Sequence, residues 1–102
     1  MTAAAERDAG VRMDARLVSF EPRDEGGRAV YRGRFVTREL DVPFEAVATI
    51  AKVDIQLLGE AGALESTLVK LAAPLLRAAT RVELAAGEPP PRRITRWRRL
   101  AA

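Results

Sequence analysis

Arg28-Ala29-Val30-Tyr31-Arg32-Gly33-Arg34-Phe35-Val36-Thr37 is the stretch that decides the fold. Its side chains alternate with a period of two. Ala29, Tyr31, Gly33 and Phe35 fall on one face, and Val30, Arg32, Arg34 and Val36 on the other. Apolar and charged residues at that spacing make a half-buried strand, because successive side chains of a strand point to opposite faces. Gly33 inside it signals a bulge or a close backbone approach.

Reading outward, Ala15–Glu21 forms a strand ended by Pro22, with Val18 and Phe20 on one face. Arg23-Asp24-Glu25-Gly26-Gly27 supplies the hairpin turn, its glycines able to take positive φ. Beyond a turn at Thr37-Arg38-Glu39, Leu40 and Val42 alternate with Glu39 and Asp41, a third strand that completes an antiparallel meander. Asp41 and Pro43 then read as a helix start, with Phe44, Val47, Ala48 and Ile50-Ala51 at helical spacing. Val53–Leu58 fits either a helix continuation or a short strand, punctuated by Gly59 and Gly62.

Ala63–Ala86 has the strongest periodicity. Leu64, Leu68, Leu71, Ala72, Leu75, Ala79, Val82 and Ala86 make one apolar stripe along a helix. Pro74 either kinks this helix or opens a second one. Gly87 and Pro89-Pro90-Pro91 stop it. Arg92–Arg98 is β-capable at Ile94, Thr95 and Trp97 and reads first as a fourth strand; a terminal helix packing Ile94, Trp97 and Leu100 is the alternative. The expected fold is α+β, a three-strand meander plus a C-terminal strand packed against two or three helices. Residues 1–14 are expected to be a flexible arm, 15–99 the single domain and 100–102 a tail.

The 102-residue chain has neither cysteine nor histidine. That removes disulfides, thiolate-bound metals, imidazole ligands and every nucleophile activated by histidine. The paired carboxylates Asp24-Glu25, Glu39 with Asp41, and Glu60 with Glu65 read as surface charge. Ser19, Ser66 and Thr67 have no base beside them, and the glycines lack a phosphate-loop lysine. A non-enzymatic protein without metal or cofactor is expected. No apolar run approaches the roughly 20 residues a bilayer span needs. Met1–Arg12 contains Glu6 and Asp8 and no hydrophobic region of the secretory type, so cytoplasmic residence without membrane contact is expected.

The net charge of +3 is unevenly spread. Arg92, Arg93, Arg96, Arg98 and Arg99 sit together with no acid among them; the rest of the chain holds 12 basic and 14 acidic residues, a net of −2. Clustered arginines neutralise phosphates, and an aromatic among them stacks on a base. Arg92, Arg93, Arg96, Trp97, Arg98 and Arg99 are therefore candidate contacts for nucleic acid or a partner. Lys70, Arg77 and Arg81 on the polar side of the long helix extend the candidate patch. The competing reading gives these arginines the task of keeping an edge strand from aggregating, with Trp97 capping the core. The leading functional expectation is a small binding or accessory protein; the leucine stripe reads first as core against the sheet and second as the face of a homodimer. Nucleic-acid binding by the C-terminal Arg/Trp segment is the alternative.

The layout resembles a family of small bacterial proteins known only as a domain of unknown function. The matching stretches are Val18-Ser19-Phe20-Glu21-Pro22, Val30–Val42, Phe44-Glu45-Ala46-Val47, Leu75–Gly87 and Arg92–Trp97. Pro43, where a serine-like cap is usual, and the prolines before the last strand depart from the pattern. The resemblance implies an α+β fold and assigns no activity or site residue.

Overall fold

Gly33 lies at the centre of the sheet. In the computed structural model, which describes residues 10–23 and 26–100, β2 (Gly26–Val36) is flanked by β1 (Gly10–Arg23) and β3 (Asp41–Ala48). β4 (Val53–Leu57) pairs with β3, and β5 (Arg93–Arg99) returns beside β1. All pairings are antiparallel, giving the order β4-β3-β2-β1-β5. A short 3-10 turn, Gly62–Leu64, leads into the 21-residue helix α1 (Glu65–Ala85), which packs on one face of the sheet.

The architecture corrects the sequence reading at several points. The sheet has five strands and carries one helix, not two or three. The expected helix beginning at Asp41-Pro43 is β3, where Val42, Phe44, Ala46 and Ala48 are buried and their neighbours are not. Ala46-Val47-Ala48 is apolar throughout, so it satisfies the helical period and the strand period equally; pairing on both sides decides the matter. Pro43 is tolerated because its missing N–H falls at the end of the β4 ladder, where Leu58 N–H donates to the Pro43 carbonyl at 2.8 Å. Val53–Leu57 is strand, and so is Arg93–Arg99, which removes the C-terminal helix alternative. β1 begins at Gly10, so residues 10–14 belong to the sheet rather than to an arm; residues 1–9 lie outside the described residues.

Two turns are held by threonines, the first where the sequence places a turn and the second where it suggests a helix. Thr37 N–H donates to the Leu40 carbonyl at 2.8 Å, and the Thr37 hydroxyl accepts from the Leu40 N–H at 2.9 Å. Thr49 closes the β3–β4 hairpin by pairing with Lys52. In the β1–β2 hairpin Gly26 takes φ 99°, while Asp24 and Glu25 lie outside the described residues. A register shift between Leu17 and Ser19 leaves Val18 bulged and 54% exposed. Leu17 and Phe20, rather than Val18 and Phe20, therefore pack against the core.

The helix buries Leu68, Ala72, Leu76, Thr80 and Leu84, each four residues from the next. The expected stripe holds through Ala79, with Leu68 and Ala72 buried and Leu64, Leu71, Leu75 and Ala79 packed against the core, and then drifts. Val82 is 75% exposed and Ala86 lies in solvent, whereas Leu76, Thr80 and Leu84 are buried. Thr80 was unlikely on hydropathy grounds alone, yet its hydroxyl donates to the Leu76 carbonyl at 2.8 Å, so no polar group is left unpaired. Pro74 neither divides nor ends the helix. It sits on the solvent side, where water can take up the carbonyl it frees. Gly87 closes α1 with φ 71°, its N–H donating to Leu84 while Glu88 N–H donates to Glu83, a Schellman ending.

Beneath the helix, Phe35 and Phe44 stack with ring centroids 4.3 Å apart. Tyr31, fully buried, donates its hydroxyl to the Pro91 carbonyl at 2.6 Å and ties the proline segment before β5 to the centre of the sheet. Burial, reinforced by the Glu83 carboxylate, pushes this hydroxyl up to about 12 from 10.0. The unfolded chain therefore releases the proton first, and stability falls as pH rises from 10.0 to about 12, by up to about 1.4 kcal/mol per pH unit. Tyr31→Phe is expected to flatten that alkaline slope. It also costs about 1 kcal/mol at pH 7, because the half-buried Pro91 carbonyl loses its donor. Urea unfolding across pH 8–12, with tyrosinate absorbance of the single tyrosine, checks both parts.

Candidate nucleic-acid interface on the open sheet face

The helix covers one face of the sheet; among the described residues, no element covers the other. Strand pairing sets what stands on that open face. Directly opposed residues share a face, so the row through Arg16 runs Gln56-Glu45-Arg32-Arg16-Arg93 across all five strands. The next row contains Pro43-Arg34-Asp14-Thr95, and the one beyond it Asp41-Val36-Arg12-Trp97. Arg28 and Arg99 stand on the same face at either end. Charge is thus segregated. β3 and β4 contribute Asp41, Glu45 and Asp54, whereas β2, β1 and β5 contribute Arg12, Arg16, Arg28, Arg32, Arg34, Arg93 and Arg99 against Asp14 and Glu21.

Some of these arginines are occupied. Arg32 Nε donates to Glu45 at 3.0 Å, and Arg34 pairs with Asp41. Asp14 accepts two hydrogen bonds from Arg93, at 3.0 and 2.9 Å, and one from Thr95 at 3.1 Å. The Arg93 bonds hold the Asp14 carboxyl below its usual range against the opposing effect of burial, helped by the Thr95 hydroxyl and the nearby Arg16 charge. Arg12, Arg16 and Arg28 make no hydrogen bond or ion pair among the described residues. Arg16 is moreover flanked on both adjacent strands by arginine. Like charges directly opposed destabilise a sheet, and the repulsion of Arg16 by Arg32 and Arg93 is offset only in part by the Glu45 and Asp14 carboxylates that hold those two and by the attraction of Arg16 to Asp14.

Trp97 is 46% exposed and lies over Gly10, where a Cβ would run into the indole. Its ring therefore rests on bare backbone, with Arg12 directly opposite on β1. It is not the core cap that the competing reading expects.

The sequence-derived candidates divide between the two faces. Arg93, Trp97 and Arg99 join the open face, while Arg96 and Arg98 alternate with them and stand on the helix side of β5 with the buried Ile94. The guanidinium groups of Arg96 and Arg98 fold back onto the carbonyls of Thr95 and Trp97, each at 2.8 Å. Arg92 precedes β5, its carbonyl accepting from Leu17 N–H. Arg77 shares a shallow depression with Lys52, Val53 and Pro74 at the β4 edge, and β4 and β5 are opposite edges. Lys70, Arg77 and Arg81 lie on the helix, in the other layer, so they do not extend the C-terminal patch as the sequence reading expects. The residues that do extend it, Arg12, Arg16, Arg28, Arg32 and Arg34, were missed. Their alternation along β1 and β2 was the available signal, but Arg12 fell in the supposed arm.

The carboxylates do not converge on the arginine face. Asp41 is engaged by Arg34, Glu39 stands in the β2–β3 turn, and Glu60 and Glu65 line an open depression with Gly59, Ala61 and Gly62. No group of three or more acidic residues comes together among the described residues. No described helix is long and apolar enough to cross a membrane.

No family model matches the chain, and neither a curated protein nor a solved structure matches it significantly.

Proposed function

We propose that this protein is a cytoplasmic, non-enzymatic binding module that takes single-stranded nucleic acid on the open face of β2, β1 and β5. The observation that carries this reading is the opposed row Arg32-Arg16-Arg93 on the same face as the exposed Trp97, which stands two rows further on opposite Arg12. An anionic backbone relieves the repulsion along that row, and the half-exposed indole over Gly10 offers a ring to an unstacked base. A single strand suits the site better than a duplex. Its bases are free to stack on an aromatic, and its phosphates can follow a basic sheet surface. Alternate side chains along a strand stand about 6.7 Å apart and neighbouring strands about 4.8 Å apart, so one sheet face presents a grid of guanidinium groups rather than a single point charge. The acidic β3–β4 side bounds the strand's path.

Trp97 is the only tryptophan, so the test reads the site directly. Titration with oligothymidylate or oligouridylate at low salt is expected to quench its emission, with affinity falling linearly on a logarithmic salt scale. Duplex of matched length is expected to bind more weakly and to leave the emission nearly unchanged. Unaltered emission and anisotropy with all three probes at low salt would exclude the proposal.

A further inference from the structure

The two edges of the sheet are built differently. β5 carries Arg93, Arg96, Arg98 and Arg99, the charged edge that blocks pairing with another sheet. β4, Val53-Asp54-Ile55-Gln56-Leu57, has one charge, no proline and no bulge. The exposed Ile50 (44%) and Leu58 (52%) bracket it.

The direction of its free hydrogen-bonding groups follows from its two ends. Leu58 N–H donates to Pro43, and Lys52 pairs with Thr49, so residues 52, 54, 56 and 58 turn their backbone groups toward β3. Val53, Ile55 and Leu57 therefore turn theirs outward, unpaired, while their half-buried side chains pack against the core on the helix side.

We infer that β4 is a homodimerisation edge, pairing antiparallel with β4 of a second copy about a two-fold axis at Ile55. In that register Ile55 opposes Ile55 of the other copy, and Val53 opposes its Leu57. These are the residues with outward backbone groups, so the pairing forms about six main-chain hydrogen bonds and one continuous sheet. On the open face Asp54 opposes Gln56 of the second copy, an acceptor against a donor, at both symmetry-related positions. A two-fold axis at Asp54 would instead set carboxylate against carboxylate and leave Leu57 without a partner in β4, and an axis at Gln56 would leave Val53 without one. The pairing of acceptor with donor, and the use of all three outward residues, thus select a second copy in this register. This inference stands apart from the nucleic-acid reading, which uses the opposite side of the sheet.

Sedimentation equilibrium of the full chain, combined with amide exchange, tests it. The expected result is a reversible dimer in which the Val53, Ile55 and Leu57 amides are protected and become fast-exchanging on dilution, while Asp54 and Gln56 stay protected at every concentration. Gln56→Glu, at an exposed position, is expected to weaken the dimer about fivefold or more by setting carboxylates against each other, and adding Asp54→Lys to restore it. A strict monomer up to roughly several hundred micromolar would overturn the inference. So would a dimer in which those three amides exchange at the monomer rate, or one indifferent to Gln56→Glu while that variant's circular dichroism matches the parent.

Discussion

Gly33→Ala is expected to destabilise the protein by about 3 kcal/mol or more, a large part of the roughly 5–15 kcal/mol that holds a small domain folded. Gly33 stands in the row Ile94-Ala15-Gly33-Phe44-Leu57, between two strands it pairs with directly. A Cβ there would run into the Asp14 carbonyl oxygen and come within 2.8 Å of the Ala15 Cα. Both obstacles are backbone of the neighbouring strand, so no rotamer change relieves them. Relief requires β1 and β2 to separate, which also disturbs the Asp14 carboxylate held by Arg93. Gly87→Ala is the informative contrast. Nothing lies within 4 Å of its Cβ position, so only the left-handed φ of 71° resists, at about 1 kcal/mol. Urea midpoints for the two variants should differ accordingly; equal midpoints would show that the strands do not approach so closely.

The second large effect concerns binding. Trp97→Leu keeps an apolar side chain over Gly10 and removes the aromatic face. Loss of stacking at about 1–3 kcal/mol corresponds to a roughly 10- to 100-fold weaker affinity for oligothymidylate. Arg12→Ala combined with Arg16→Thr is expected to lower the salt slope by about one for each arginine. Arg16→Thr has a further signature. Removing the central charge of the Arg32-Arg16-Arg93 row should raise stability by about 0.5 kcal/mol while binding falls. A residue retained for the fold would lower both together. Anisotropy titration of end-labelled oligothymidylate, which does not depend on the chain's single tryptophan, and thermal unfolding of the same three variants measure these effects side by side.

Much of the sheet was legible in the sequence because its residues alternate cleanly. Arg28–Thr37 identified its own strand, its buried face and the close approach at Gly33. Thr37-Arg38-Glu39 marked its turn, and Gly87 marked the helix end. β3 was not legible. A run of small apolar residues fits both periods, and a proline near its start imitates a helix cap. β4 was left open because five residues are too few for a period to declare itself. The helix face was read as far as Ala79 and lost at Val82 and Ala86. Thr80 interrupts the hydrophobic pattern, and its hydroxyl is satisfied by the helix's own Leu76 carbonyl, a contact that hydropathy does not record.

The candidate site shows the same division. The sequence by itself determined that the chemistry available is arginine chemistry, since the chain has no histidine or cysteine, and that Trp97 sits among arginines near the C-terminus. It also made the body look acidic, because charges counted along a chain are averaged over both faces of every strand. Only the tertiary structure decided which charges stand together. Antiparallel return of β5 beside β1 brings Arg93 and Trp97 against Arg16 and Arg12, residues some 80 positions away in the chain. Strand alternation sends Arg96 and Arg98 to the other face, and the strand order sets the acids of β3 and β4 to one side. A strand's period fixes which residues share a face, but the surface potential of that face depends on which strands lie next to it, and that is a property of the pairing.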